Sequence, residues 1–203
     1  SYSKGLFTHK EMTEFLETLR VQEGELLSPH IHNRRMHYTS PKVQSFDLAS
    51  IDVPLQYRSG IVKCSVVYSD KILDIKFSRY APRPIRKLKV VECNTIDYHL
   101  KYADRRELNA LRELRGECDD VLIVKNGFVT DTSFSNVVFR QDDLLFTPNT
   151  FLLNGCKRQE LINKGRIEER KISLDDIKSY QCCYLINAML DIEDNPFDVE
   201  IVF

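Results

Sequence analysis

Lys101 lies in the stretch DYHLKYADRREL, Asp97 to Leu108, with two tyrosines and a histidine close by and a run of charge behind it. A lysine amine can attack a carbonyl or carry a proton, provided that its surroundings lower its pKa enough to free the lone pair. Most lysines are exposed and solvated, so such a role needs partners elsewhere in the chain. Three stretches offer them. In LLNGCKRQELI a helix starts after Gly155, and the free N–H groups of Cys156 and Lys157, aided by the helix dipole, suit an anion. In HNRRM, Arg35 can fork onto a phosphate or carboxylate, while Arg34 fits a solvated face. In VTDTSFSN, Asp131 follows a strand and precedes hydroxyls and Asn136, which taken alone is an ordinary polar turn.

The elements that must position these residues read as follows. FLETLRVQEGELL predicts a strand, a turn at Glu23-Gly24 and a second strand, after a helical or mixed opening from His9. PHIHNRRMHYT predicts a helix. GIVKCSVVYSDKILDIKFSRYA predicts a hairpin turning at Ser69-Asp70, rich in β-branched and aromatic residues. APRPIRKLKVVEC, with two prolines, connects this half to the next, and we place a domain boundary at Pro84. RRELNALRELR carries Leu108, Leu111 and Leu114 at helical spacing. Short strands follow from Asp119 to Pro148, turning at Asn126-Gly127 and Gln141-Asp142-Asp143. The helix GCKRQELINKG, a short helix LDDIKSY and a strand-like run CCYLINAML complete the chain. Strands and helices interspersed with antiparallel hairpins imply an α+β class with two small domains, 1–84 and 85–203.

Composition excludes several alternatives. Of 203 residues, 29% are charged and 42% hydrophobic, as in an ordinary globular chain. The net charge of −1, with no basic run or aromatic stripe, argues against a nucleic-acid partner. No stretch approaches membrane-spanning length, and SYSKGLFTHKEM lacks a signal-peptide core, so a cytoplasmic setting is expected. The six cysteines show no C-x-x-C spacing and lie mostly in apolar runs. Buried free thiols are expected, with neither a metal site nor a disulfide framework.

Five stretches in one order resemble the class IV aminotransferase family, the fold type IV pyridoxal-phosphate enzymes, from about Phe15 to Met189. They are FLETLRV, GELLSPHIHNRRM with Gly24, His32 and Arg35 at the family's offsets, GFVTDTSFSNVVF, FTPNTFLLNGCKRQELI and YLINAML. The resemblance implies a D-amino acid aminotransferase-like fold of mixed and antiparallel sheets, with pyridoxal 5′-phosphate (PLP) in a cleft between two domains. It implies that Lys101 is the Schiff-base lysine and that Asp131, in the family's glutamate position, faces the pyridine nitrogen. Arg35 and the N–H groups of Cys156 and Lys157 would then hold the phosphate, with Asn187 approaching it from the closing strand.

LKYADR and INAM look most like the aminodeoxychorismate lyase branch, although Tyr102 and Asp104 stand where that branch has His and Asn; Arg105 is kept. The implied activity is a lyase converting 4-amino-4-deoxychorismate to 4-aminobenzoate and pyruvate. The alternatives are a class IV aminotransferase acting on branched-chain or D-amino acids, or a non-catalytic cofactor-binding relative. Substrate candidates are Tyr102, Arg105, Arg79 and Arg83. The segment SYSKGLFTHKEMTEF replaces the family's usual opening, and the first domain is short for the family. Because a partner subunit commonly helps cover the site in this family, a homodimer is expected.

Overall fold

The structure, a computed structural model, describes residues 11–203. Strand β1 (Phe15–Gln22) alternates in the manner of a half-buried strand, with Glu17, Leu19 and Val21 all on the face that packs inward. It turns through Glu23 and Gly24, at φ of 49° and 84°, into β2 (Glu25–Leu26). Glycine adopts that left-handed backbone without the clash a Cβ would cause. Helix α1 (Pro29–Thr39) begins on a proline, whose fixed φ and missing N–H suit the first helical position. Strands β3 (Ile61–Tyr68) and β4 (Ile72–Arg79) form the expected hairpin, giving an antiparallel sheet ordered β2-β1-β3-β4. Leu19, Val21, Val62, Cys64, Val66 and Tyr68 pack with Met36 of α1 in one core. Each such side chain contributes roughly 1.5–3 kcal/mol on burial, which fixes α1 against the sheet.

The remaining strands make two more sheets. Strands β5 (Lys87–Glu92), β6 (Asp120–Lys125), β7 (Phe128–Val129) and β12 (Glu200–Val202) pair in the order β12-β5-β6-β7. Strands β8 (Asn136–Gln141), β9 (Leu144–Pro148), β10 (Glu168–Arg170) and β11 (Cys182–Ile186) pair as β10-β9-β8-β11. Strands β5 and β6 are parallel, so the chain must cross over between them. That crossover carries Lys101 and helix α2 (Arg106–Arg112). Strand β6, DVLIVK, is apolar on both faces for a physical reason. Leu122 enters the core shared with Val137, Phe139, Phe146 and Leu185, while Val121 and Ile123 pack against Leu108 and Tyr98 beside α2. Helix α3 (Cys156–Asn163) follows Gly155.

Three local expectations are corrected. Leu114 is 59% exposed, because α2 ends at Arg112 and tightens into a 3₁₀ turn that rotates Leu114 away from the Leu108 face. LDDIKSY forms a 3₁₀ turn over Asp175–Ser179 rather than an α-helix. The last strand of CCYLINAML stops at Ile186, and Asn187 to Leu190 turn back on themselves through a reciprocal pair of backbone hydrogen bonds. The opening before β1 is non-helical over residues 11–14, and His9 and Lys10 lie outside the described residues. Of the cysteines, all free, Cys64, Cys156, Cys182 and Cys183 are buried and Cys93 and Cys118 half-buried.

Candidate active site

The first sheet, α1, the crossover and the third sheet converge on a cavity of about 490 Å³. Thr18 and Lys63 line it from the face of the first sheet opposite α1, and Arg35 enters from α1. Lys101, Arg105, the Asp131–Asn136 loop, Leu153 to Cys156, and the Asn187–Met189 turn supply the other walls. Lys101, Arg35, Asp131, Cys156, Asn187, Arg105, Arg79 and Arg83 are therefore brought together. Tyr102 does not line the cavity. Its ring packs on Phe15 and Tyr98, and its backbone bridges to β1 at Phe15.

Backbone pairing places Lys101. Its carbonyl accepts from Leu16 N–H at 2.9 Å, and Ala103 N–H donates to Glu14 O at 3.0 Å, so the crossover is clamped to the start of β1. Burial lowers the Lys101 pKa, and the positive charges of Arg35 and Arg105 lower it further against the opposing pull of Glu17, to about 8. A substantial neutral fraction near physiological pH is what an amine nucleophile or base requires.

Asp131 sits at the base of the cavity, 5% exposed. Its Oδ2 accepts from Leu153 N–H at 3.0 Å and its Oδ1 from Asn136 Nδ2 at 3.1 Å. Burial outweighs those hydrogen bonds and pushes the carboxyl up to about 7, and Arg158 opposes this only through space. Asn136 also donates to Leu153 O at 2.9 Å, locking strand β8 to the loop before α3. A Cβ on Gly155 would collide with Asn136 Oδ1, so the glycine is required by this close approach.

Beyond Leu153, α3 follows Gly155, which has no side chain to cap it, leaving the first N–H groups of the helix without intrahelical partners. The Cys156 thiol is buried, with its pKa pushed up to about 12, so it is a neutral wall here. Lys157 does not line the cavity, and its ammonium turns to Glu160 at 2.8 Å and Asp191 at 3.5 Å. Arg35 is not a free fork: Nε and Nη2 each donate to Glu17 at 2.7 Å. His32 Nδ1 lies 2.9 Å from the same carboxylate. Burial would raise the Glu17 pKa, but the charge and hydrogen bonds of Arg35, with His32, hold it at about 2. Burial lowers the pKa of His32. Glu17, His32 and Cys156 also have metal-ligand atom types within 4.8 Å of one another, yet Arg35 and His32 already occupy the Glu17 carboxylate.

The sequence reading gave no role to Glu17 or to the close contact of Asn136 with Gly155. Glu17 left a signal, since a charge occupies the apolar register of Phe15, Leu19 and Val21, and an acid on the buried face of a strand needs a partner.

Comparison with known proteins identifies the family. The family model described as amino-transferase class IV matches residues 70–192. The chain belongs to the class IV aminotransferase family. An uncharacterized protein of Haemophilus influenzae is 35% identical over 185 residues, covering 88% of this chain and 98% of that one. The solved "putative 4-amino-4-deoxychorismate lyase" from Haemophilus somnus 129pt superposes with a TM-score of 0.76 at 28% identity, over 87% of this chain and 96% of its own. A "hypothetical aminotransferase" from Mycobacterium tuberculosis, solved in a PLP-bound form, has a TM-score of 0.69 at 16% identity, over 93% and 81%. The fold is thus that of the class IV aminotransferases, and the chain is a PLP-dependent enzyme.

The residues present fit this cofactor. A buried carboxyl held only by neutral donors lacks the cation that a pyridinium N–H supplies. The α3 N-terminus and the remaining Arg35 nitrogen suit a phosphate, and the Lys101 amine lines the same cavity.

Proposed function

We propose that the chain is a lyase of the 4-amino-4-deoxychorismate type, releasing 4-aminobenzoate and pyruvate. The observation that carries this reading is the basic rim. Outside the phosphate end, Lys63, Arg79, Arg83 and Arg105 all line the cavity, while Asp131 at its base is the one acidic residue among the described lining. Such a rim matches a substrate with two carboxylates. Similarity to the H. somnus protein supports the same choice.

PLP, when bound, supplies an aldehyde for the substrate amine and a ring that accepts the electron pair left by a broken C–H bond. In this reading Arg35 Nη1 and the N–H groups of Cys156 and Lys157 hold the phosphate, with Asn187 beside them. Asp131 would stay ionised as the partner of the cofactor's ring N–H. Lys101 Nζ takes the proton from the substrate ring and returns one as pyruvate leaves. Arg105, whose Nη2 donates to Ser133 O at 2.6 Å and whose guanidinium also meets the Tyr98 hydroxyl, lines the cavity as a partner for a carboxylate. Arg79 is tethered to the carbonyls of Gln56 and Ser59, so its contribution is chiefly charge. Arg83, over the Phe134 ring at 6.0 Å, stands at the exposed mouth.

An aminotransferase using the same lysine is the second reading, since a basic rim also accepts a dicarboxylic amino donor. A cofactor-binding protein without turnover fits less well, because binding alone has no use for an amine set at a pKa of about 8. We also propose a homodimer, with the division between domains at Pro84; Ile61 and Leu73 leave apolar surface on the β3–β4 hairpin. Light scattering tests the dimer, and a fully active monomer would contradict it. No helix of the described residues is long and apolar enough to cross a membrane. The function is tested by assaying PLP-loaded protein with aminodeoxychorismate beside a panel of L- and D-amino acids with 2-oxoglutarate or pyruvate. Pyruvate and 4-aminobenzoate in equal amounts support the lyase; amino transfer alone overturns it.

A further inference from the structure

We propose that Glu17 is a positioning residue for the phosphate end of the site, acting through Arg35. This rests on the reading of that end as a phosphate site. Glu17 is fully buried on the inward face of β1, where Leu19 and Val21 continue the row as hydrophobes. A buried ion pair is seldom more stabilising than well-packed apolar residues of the same volume, so fold stability alone does not account for an acid there. Its geometry does. His32 and Arg35 stand one helical turn apart on α1, so both reach Glu17 from the same side. Arg35 presents Nε and Nη2 to the two carboxylate oxygens, a bidentate pair that fixes the plane of the guanidinium. His32 holds the carboxylate from a third direction and prevents it from swinging with the arginine.

The result is an arginine with one edge occupied and its Nη1 left for the ligand, in a cavity that Cys156 at the start of α3 also lines. The pair is internally neutral, so Arg35 contributes a directed hydrogen bond more than unscreened charge. The property that Glu17 controls is therefore recognition of the phosphate group itself, not retention of the pyridine ring. Glutamine at position 17 would set an NH₂ against one of three donors that now converge on the carboxylate, and Arg35 could not keep both bonds.

The test titrates cofactor-free protein with PLP and, separately, with pyridoxal, which lacks the phosphate. Glu17→Gln is expected to weaken PLP binding about tenfold to a hundredfold, the worth of one misdirected charge-assisted hydrogen bond. Pyridoxal binding should stay within about twofold of the parent. Glu17→Asp keeps the charge on a shorter reach and should fall between; it also serves if the glutamine variant does not fold, which thermal unfolding of each cofactor-free variant reports. Equal loss for both ligands, or no loss for either, would overturn the inference and leave Glu17 a structural residue. Arg35→Gln separates the two claims. If it keeps the full preference for PLP over pyridoxal, the phosphate reading itself fails; if it loses that preference while Glu17→Gln retains it, only the role of Glu17 is lost.

Discussion

Two buried carboxyls, Asp131 lining the cavity and Glu17 behind Arg35, behave oppositely. Glu17 meets a guanidinium and an imidazole and is held at about 2; Asp131 meets an amide N–H and an asparagine NH₂ and rises to about 7. Burial is the largest influence on both, so the difference comes from the charge of the partners. Glu17 is neutralised by the protein itself and has no charge left to offer. Asp131 has neutral donors and remains short of a cation until a ligand brings one. Equal burial therefore marks one carboxyl as part of the scaffold and the other as part of the binding site.

The largest effect is expected at the cavity amine. Lys101→Ala should abolish turnover, a loss beyond the roughly 10²–10⁴-fold of ordinary acid–base catalysis because the covalent anchor is also removed. Borohydride reduction of the PLP-loaded protein and peptide mapping should place the adduct on the Lys101 peptide; an adduct confined to another lysine would refute the assignment. Asp131→Asn should cut turnover by about 10²–10³-fold, since the ring loses the anion opposite its N–H. Asp131→Glu keeps that charge and should be milder. Near-parental rates for Asp131→Asn would show that the Asp131 carboxyl has another job.

Stability reverses the ranking. Glu17→Gln strands a buried guanidinium and should cost about 3–5 kcal/mol in denaturant unfolding of the cofactor-free protein. Asp131→Asn loses at most one neutral-donor hydrogen bond and removes a poorly solvated charge, so a change near 1 kcal/mol is expected. Equal costs would show that the two carboxyls are not distinguished by their partners.

Their pH windows separate as well. Glu17 has its pKa lowered from 4.5 to about 2, so its stabilisation is present above 4.5 and is lost as pH falls through 2. Asp131 has its pKa raised from 3.8 to about 7, so its contribution is present below 3.8 and is lost as pH rises through 7. Cofactor-free protein should therefore lose stability between these two values on the Asp131 side, and Asp131→Asn should flatten that slope. Loading with PLP should flatten it too, because the pyridinium keeps Asp131 ionised. Thermal unfolding across this range, with and without PLP, measures both. The smallest effect is at the rim. Arg83→Gln should raise KM for a dicarboxylate substrate about fivefold to tenfold with little change in kcat, and Arg79→Gln less, since the Arg79 guanidinium is already tethered. A larger effect from Arg79 would place the carboxylate on the other side of the mouth.

Much of the architecture was legible in the residues because it rests on local chemistry. The Glu23-Gly24 turn, the hairpin at Ser69-Asp70 and the start of α3 after Gly155 follow from glycine and from alternation, which act over a few residues. Leu114 and the LDDIKSY turn were misread because helix ends depend on what packs beyond them. The chemical types at Lys101, Asp131 and Arg35 were likewise fixed by the sequence, and their order was enough to suggest the family. What a carboxylate, an amine or a guanidinium does depends on partners distant in the chain and on how much water surrounds it. Only the folded chain sets Arg35 against Glu17, 18 residues away, and Asp131 beneath Leu153, 22 residues away. The sequence supplied two acids; their environments made one a fixed counter-ion and the other a group that waits for its cation.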